Sequence, residues 1–186
     1  MRIIFLMGLT VLVAGCQIGA PTRPDPNSVR IYRLDQADRA EVQFRVLDAV
    51  NLLHASAQAP ALGLDSGLIA AASTHARDMS VQNRPWHFGS HGSSPIDRAR
   101  RAGYAGAVLG ENISETYEGE LETLRAWMAQ PDTRAVILDP SGRDLGLGYF
   151  QEDAGKFGGC SWSVTAAVRP LAPVGDGSRI DVNRCA

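Results

Sequence analysis

Apolar residues recur at helical spacing in two consecutive stretches of the chain. The first set is Val42, Val46, Val50, Leu53 and Ala57. The second set is Leu68, Ala71, Ala72, His75, Ala76 and Met79. Spacings of three and four place each set on one face of a helix. We therefore predict two amphipathic helices packed on a core, with N-caps at Asp35 and Asp65.

A short helix is predicted after the second amphipathic helix. Ser94 suits the N-cap, Pro95 the first helical position, and Asp97 the third position of a capping box. The helix then runs from Arg98 and stops at Gly103, because glycine tolerates the left-handed conformation that ends helices. Because the cap explains Asp97, we do not count that residue as catalytic.

A fourth helix and two strands complete the predicted elements. Leucines, Trp127 and Met128 define a helical stripe from about residue 119 to residue 130, which Pro131 ends. The first alternating run is Leu145, Leu147 and Tyr149, and the second is Trp162, Val164, Ala166 and Val168. Turn-forming residues at 151–159 join the two runs, so we predict an antiparallel hairpin. Helices followed by strands indicate an α+β domain.

The N-terminal residues 1–16 differ in composition from the rest of the chain. Arg2 precedes an apolar run that ends in Ala14, Gly15 and Cys16. The run is shorter than the roughly 20 residues that a membrane-spanning helix needs. We predict a lipoprotein signal peptide at residues 1–15, lipidation of Cys16, and a proline-containing tether over residues 16–34. A domain at 35–170 and a tail at 171–186 complete the predicted organisation.

Charge and cysteine content narrow the class of protein. The chain has 18 Lys and Arg against 20 Asp and Glu, a formal net charge of −2. Nothing in this balance indicates nucleic-acid binding, and the single Lys156 argues against a polybasic membrane patch. With Cys16 lipidated, Cys160 and Cys185 remain, and in an oxidising compartment we predict a disulfide between them. Such a bridge would contribute about 3–4 kcal/mol.

The stretch 86–112 contains the strongest candidates for acid–base or metal-binding side chains. His87 and Glu111 together would form a proton-handling pair or half of a metal site. His54 and His75 lack a second ligand three or four residues away, so we predict hydrogen-bonded or boundary positions for both. Arg98 is grouped with its arginine neighbours as a solvated helix face, or alternatively as a contact for an anionic glycan or lipid headgroup.

A series of residues along the chain forms a recognisable pattern: Asn51; Leu62, Asp65, Leu68, Ala72, His75, Ala76 and Met79; His87 and Arg98; Gly103 and Tyr104; Gly110, Glu111, Asn112 and Ile113; Trp127, Met128 and Pro131; Ile137 and Leu138; and Leu145, Gly146, Leu147 and Gly148. With this pattern the chain resembles the CAP superfamily of cysteine-rich secretory, antigen 5 and pathogenesis-related proteins, in its bacterial SCP-like form. Their order and spacing cover about residues 40–168. The resemblance implies a three-layer α-β-α sandwich with a central antiparallel sheet and a cleft.

In many members of the family, two histidines and two acidic residues in that cleft can bind zinc or another divalent ion. By motif match, His87 takes the first histidine position and Glu111 one acidic position. Thr133 stands where the second histidine is expected, and Gln130 stands where many members have a second glutamate. A threonine hydroxyl is a poor zinc ligand. We therefore predict no resident cofactor, unless His91 or Asp132 supplies a replacement ligand.

These observations lead to three hypotheses of function. The first is a non-enzymatic, lipid-anchored envelope protein that binds an envelope lipid or glycan in a cleft lined by His87, Glu111, Thr133 and Asn112. The second is a hydrolase of envelope material that uses a metal, or His87 as base with Ser90 or Thr133 as nucleophile. The third is a structural or adhesive module. Gln17 after Cys16 favours the outer membrane, facing the periplasm.

Overall fold

The computed structural model describes Leu34, residues 39–152 and residues 160–168. The described elements are α1 (Arg39–Ser56), β1 (Gly63–Leu64), α2 (Ser66–Gln82), α3 (Pro95–Arg101), β2 (Ala107–Ser114), α4 (Glu120–Ala129), α5 (Pro131–Ile137), β3 (Asp144–Gln151) and β4 (Cys160–Val168). Within the described residues, no helix is long and apolar enough to cross a membrane. The predicted signal peptide, the tether up to residue 33, the Asp35 cap and the C-terminal tail lie outside the described residues.

The four strands form one mixed sheet in the order β1-β3-β4-β2. β4 lies in the centre and pairs antiparallel with both β3 and β2, with Leu147 opposite Val164 in the first pair. The predicted β3–β4 hairpin is therefore confirmed. The sheet departs from a purely antiparallel one at a single edge, where the two residues of β1 pair parallel with β3.

Helices cover both faces of this sheet, as the three-layer sandwich requires. On one face, α1 and α4 pack with Trp162 and Val164 of β4 in the main hydrophobic core. On the other face, Leu68 of α2 and Ala99 of α3 pack against Ala167. Residues of β4 alternate between these two cores because successive side chains of a strand point to opposite faces.

Glycines in β3 let α2 lie directly on the sheet. A Cβ atom added at Gly146 would meet the Leu68 carbonyl carbon at 2.3 Å, and one at Gly148 would meet the Ser73 backbone nitrogen at 2.1 Å. Neither position can accept a side chain without moving the helix. The alternation of Leu145 and Leu147 with glycines therefore gives β3 one apolar face and one face shaped for close helix packing.

The predicted starts of α2 and α3 are confirmed. Asp65 accepts a hydrogen bond from the Leu68 backbone N–H at 3.0 Å, and Ser94 with Asp97 forms a complete capping box. Gly103 follows α3 with a φ of 87°. Pro131 ends α4 as predicted and also occupies the first turn of α5, a helix that the sequence pattern did not predict.

Candidate functional site

Glu111 occupies the middle of β2, where the sheet directs its side chain toward α2 and α3. It lies opposite Thr165 of β4, a residue on the same face as Ala167. The Glu111 side chain is 2% exposed. A buried carboxylate requires hydrogen-bond donors or a balancing charge. The surroundings of Glu111 supply both.

Arg98 of α3 provides the balancing charge. Its Nη2 donates to Glu111 Oε2 at 2.6 Å and to Oε1 at 2.9 Å. Its Nη1 donates to the carbonyl oxygens of His87 at 2.9 Å and Ser93 at 2.8 Å. The prediction of a solvated Arg98 is therefore wrong. The side chain faces the sheet, where Glu111 compensates its charge, and it ties the loop before α3 to β2.

Two histidines and a serine complete the shell around Glu111. His87 Nδ1 lies 3.1 Å from Glu111 Oε1, and Ser163 Oγ lies 3.2 Å from Oε2. Because an ionised carboxylate can only accept, His87 donates from Nδ1, and a neutral imidazole in this tautomer has its lone pair on Nε2. The His87 side chain is half-exposed, at 50%. His75 is fully buried, with Nε2 2.9 Å from the Trp86 carbonyl oxygen and 3.6 Å from Glu111 Oε1.

The electrostatics of this cluster favour a charged carboxylate and a neutral buried imidazole. Burial alone would raise the pKa of Glu111, but the hydrogen bond from His87 and the Arg98 charge outweigh it and hold the pKa below its ordinary value. Burial lowers the pKa of His75 despite the opposing attraction of Glu111. His75 is therefore neutral at neutral pH and donates its Nε2 proton to the Trp86 carbonyl.

Asn112 and Thr133 lie on the opposite face of the sheet from Glu111. Asn112 follows Glu111 in β2, so the two side chains point in opposite directions. Asn112 Nδ2 donates to the Thr133 carbonyl oxygen at 2.8 Å. The Thr133 hydroxyl donates to the Trp127 carbonyl at 2.6 Å. The predicted cleft residues are thus brought together as two separate pairs, with His87 beside Glu111 and the other two near α5.

The remaining candidate residues take other places. Ser90, His91 and Asp132 are exposed. The backbone N–H of Ser90 donates to Asp78 at 2.6 Å, and Asp97 serves only the α3 cap. His54 is buried with its ring nitrogens 2.6 Å and 2.7 Å from two carbonyl oxygens, consistent with the predicted core position.

Cys160 begins β4 and is buried. Burial raises the pKa of its thiol to about 12. It forms no disulfide within the described residues. Its predicted partner, Cys185, and the predicted lipidation site, Cys16, lie outside those residues, so the disulfide and the lipid anchor stay predictions.

The zinc site that the family resemblance implies does not fit the donors around Glu111. A carboxylate offers about four acceptor positions. Arg98 reaches both oxygens, and His87 and Ser163 each donate to one. A cation at Glu111 would have to displace the Arg98 guanidinium. Nε2 of the half-exposed His87 remains as one ligand, whereas zinc sites use three or four.

Comparison with known proteins supports the same family as the matching residues. Residues 47–166 match the model of CAP, the cysteine-rich secretory protein family. This match covers more than half of the chain. The chain belongs to the CAP superfamily. A CAP relative in Bacillus subtilis, the uncharacterized protein YkwD, is 27% identical over 130 residues. The aligned region is 70% of this chain and 47% of that protein, so the chain spans about half the length of this relative.

Solved structures show the same CAP fold. An extracellular protein with an SCP domain from Bacillus anthracis matches with a TM-score of 0.63 and 20% identity, over 73% of this chain and 42% of that one. An outer surface protein of Borrelia burgdorferi matches with a TM-score of 0.63 and 15% identity, over 72% of this chain and 96% of that one.

Sequence reasoning missed three residues that shape the CAP cluster here. Arg98 and His75 belong to the family pattern. Arg98 was predicted to be a solvated residue of its helix, and His75 was predicted to be a hydrogen-bonded or boundary residue, so neither was linked to Glu111. Ser163 was assigned only to the polar side of an alternating strand. Recognising β2 as a strand paired with β4 would have placed Ser163 and Glu111 on the same face. Ser163 lies opposite Ile113, which is two residues after Glu111 and therefore on the same face of β2.

Proposed function

We propose that this protein is a lipid-anchored envelope protein whose CAP domain binds an envelope glycan or lipid at His87 without chemical turnover. One observation carries the proposal. His87 is held by Glu111 through Nδ1 and is half-exposed, so its Nε2 lone pair is available to a hydroxyl or amide donor of a ligand. The charge of Glu111 is already balanced by Arg98, so the site needs no further ion.

The two hydroxyl groups proposed for a hydrolytic mechanism have other partners, Asp78 for Ser90 and Trp127 for Thr133. A nucleophile must lie within hydrogen-bond reach of its base. The Thr133 hydroxyl donates to Trp127 on the α5 side of the sheet. Among the described contacts of His87, the only side chain hydrogen-bonded to its ring belongs to Glu111. These contacts favour binding over acyl or glycosyl transfer.

The envelope location has two independent supports. The first is the pattern of Arg2, an apolar run and the small residues before Cys16. The second is the location stated for two relatives of the same fold, one extracellular and one on the outer surface of a bacterium. Gln17 favours sorting to the outer membrane, with the domain facing the periplasm. Cell fractionation tests this, because Cys16→Ser should move the protein to the soluble fraction. Recovery of the wild type in the inner membrane would overturn the sorting.

The ligand proposal is tested by co-sedimentation with purified peptidoglycan and with phosphatidylglycerol and phosphatidylethanolamine vesicles. The full chain carries Cys16→Ser so that an acyl anchor cannot itself cause co-sedimentation with the vesicles. We expect the protein to bind one of the two materials. The affinity should fall about tenfold in His87→Ala, because one good hydrogen bond and its contacts are lost. The control is His91→Ala, an exposed histidine of the same loop, which should retain wild-type binding. Equal binding by His87→Ala, or no binding to either material, would contradict the proposal.

The hydrolase remains the second candidate because Glu111 orients His87 as acidic partners orient catalytic histidines. The same incubations separate the two functions. Soluble fragments released from peptidoglycan or lipid by the wild type, and absent with His87→Ala, would establish the hydrolase and refute non-enzymatic binding.

A further inference from the structure

A second cavity lies between α2, α3 and the loop that joins them. Its volume is about 550 Å³, which is within the range of small-molecule sites. His87, Glu111 and Thr133 are not among the residues that line it. It adjoins the Glu111 cluster through His75 and Arg98 but does not include the ligand-binding residues proposed above.

Most of the exposed surface inside this cavity is apolar. Ala70 and Ala71 of α2 and Ala102 after α3 form part of the wall, and Val81 lies at the exposed end. Small residues on the two helices leave the space open. An apolar group of a ligand would lose contact with water here, which is favourable at about 25 cal/mol per Å² of apolar surface.

The charges around the cavity favour an anion. Arg77, Arg98 and Arg101 line it together with one acid, Asp78. Glu111 compensates Arg98, and the Asp78 carboxylate accepts from the Ser90 backbone N–H. These five groups carry one positive charge in excess, and Asp97, which lies one turn before Arg101 on α3, interacts with both Arg101 and Arg100. Arg101 is exposed at the end of α3, where a guanidinium can reach an anionic group without losing its hydration entirely.

Two side chains of the inner wall each contain one buried polar atom without a partner in the part of the chain that the structure describes. His75 Nδ1 and Arg98 Nε are both buried and have no hydrogen-bond partner within the described residues. Because His75 donates from Nε2, its Nδ1 is an acceptor, whereas Arg98 Nε is a donor. Leaving such groups unpaired costs about 1–3 kcal/mol each. Both residues line the cavity, so they add two buried polar side chains to the charged groups at its rim.

We propose that the cavity between α2 and α3 binds a small organic anion, with a short apolar chain against the alanines and a carboxylate or phosphate at Arg101. The apolar wall selects against inorganic anions, and the charge excess selects against amines of the same length. The proposal does not depend on the ligand of His87, because the two sites share no exposed residue.

Titration calorimetry on the full chain with Cys16→Ser tests the proposal with four probes. We expect saturable binding of octanoate and hexyl phosphate, and none of octylammonium or inorganic phosphate. Arg101→Glu should weaken octanoate binding about tenfold or more, because a rim charge is reversed. The matched control is Arg100→Glu, the exposed neighbour on α3 that does not line the cavity. It should change binding by less than about twofold.

Thr74→Trp provides a second test that leaves the charges unchanged. Thr74 is exposed and lines the cavity, so an indole there should block the octanoate site while the urea-unfolding midpoint stays near that of the wild type. His87→Ala should still bind octanoate. Any of three results would overturn the proposal: no binding of either organic anion, equal losses in Arg101→Glu and Arg100→Glu, or unchanged binding in folded Thr74→Trp.

Discussion

Replacing Arg98 with methionine should be among the most damaging single changes in this domain. The Arg98 and Glu111 side chains are 6% and 2% exposed, so water screens their interaction little. Arg98→Met keeps a side chain of similar length but leaves Glu111 as an uncompensated buried charge. Removing one partner of a buried ion pair costs about 3–5 kcal/mol. The carbonyl oxygens of His87 and Ser93 also lose their donor. We expect a loss of about 4 kcal/mol in the free energy of unfolding.

Urea unfolding followed by tryptophan fluorescence measures this loss, because Trp127 and Trp162 are buried in the core. Arg100→Met on the same helix is the control, and as an exposed substitution it should cost less than about 0.5 kcal/mol. Adding Glu111→Gln to Arg98→Met should recover part of the stability, since it removes the stranded charge. Equal unfolding free energies for the Arg98 and Arg100 variants would refute the central role of the ion pair.

Three further predictions follow from the packing and charges of the domain. Gly148→Ala should cost about 3 kcal/mol in urea unfolding, because its Cβ would lie 2.1 Å from a backbone nitrogen of α2, whereas Gly63→Ala, with open space, should be nearly neutral. Equal costs would contradict the close packing of α2 on β3. The folded pKa values of Glu111 and His75 are both lowered, so the unfolded chain binds more protons. The unfolding free energy should therefore fall as pH drops below about 6.5, and again below about 4.3. A weaker slope near pH 6.5 in His75→Gln would support the assignment, and an unchanged slope would contradict it. If Cys160 is paired, non-reduced protein with Cys16→Ser should show no free thiol in denaturing guanidinium, where burial no longer suppresses reactivity. One or more reactive thiols per chain would refute the disulfide.

The helix starts could be predicted because their causes are local. Asp65 and Ser94 cap helices through residues three positions away, and such pairs are visible in the sequence. The β3–β4 hairpin was also predictable, because Leu145 and Trp162 belong to strongly alternating runs. The family pattern then supplied the layer order, which propensities alone do not give.

The arrangement around Glu111 could not be predicted without β2. The segment contains Gly110 and a register irregularity, and its apolar residues do not alternate. With no strand assigned to this segment, Glu111 and Asn112 could both be placed in the same cleft. As a strand, it directs them to opposite faces, one toward Arg98 and the other toward Thr133. The Arg98 contact depends on how α3 docks on the sheet, which local sequence does not encode.

Zinc titration by calorimetry tests most directly whether Arg98, rather than a metal ion, balances the charge of Glu111. The full chain with Cys16→Ser should show no saturable zinc binding in the micromolar range. Thr133→His should not create such binding, because Thr133 pairs with Asn112, whose side chain points to the face of the sheet opposite Glu111. Micromolar binding of one zinc ion that disappears in His87→Ala, or that appears with Thr133→His, would contradict the account.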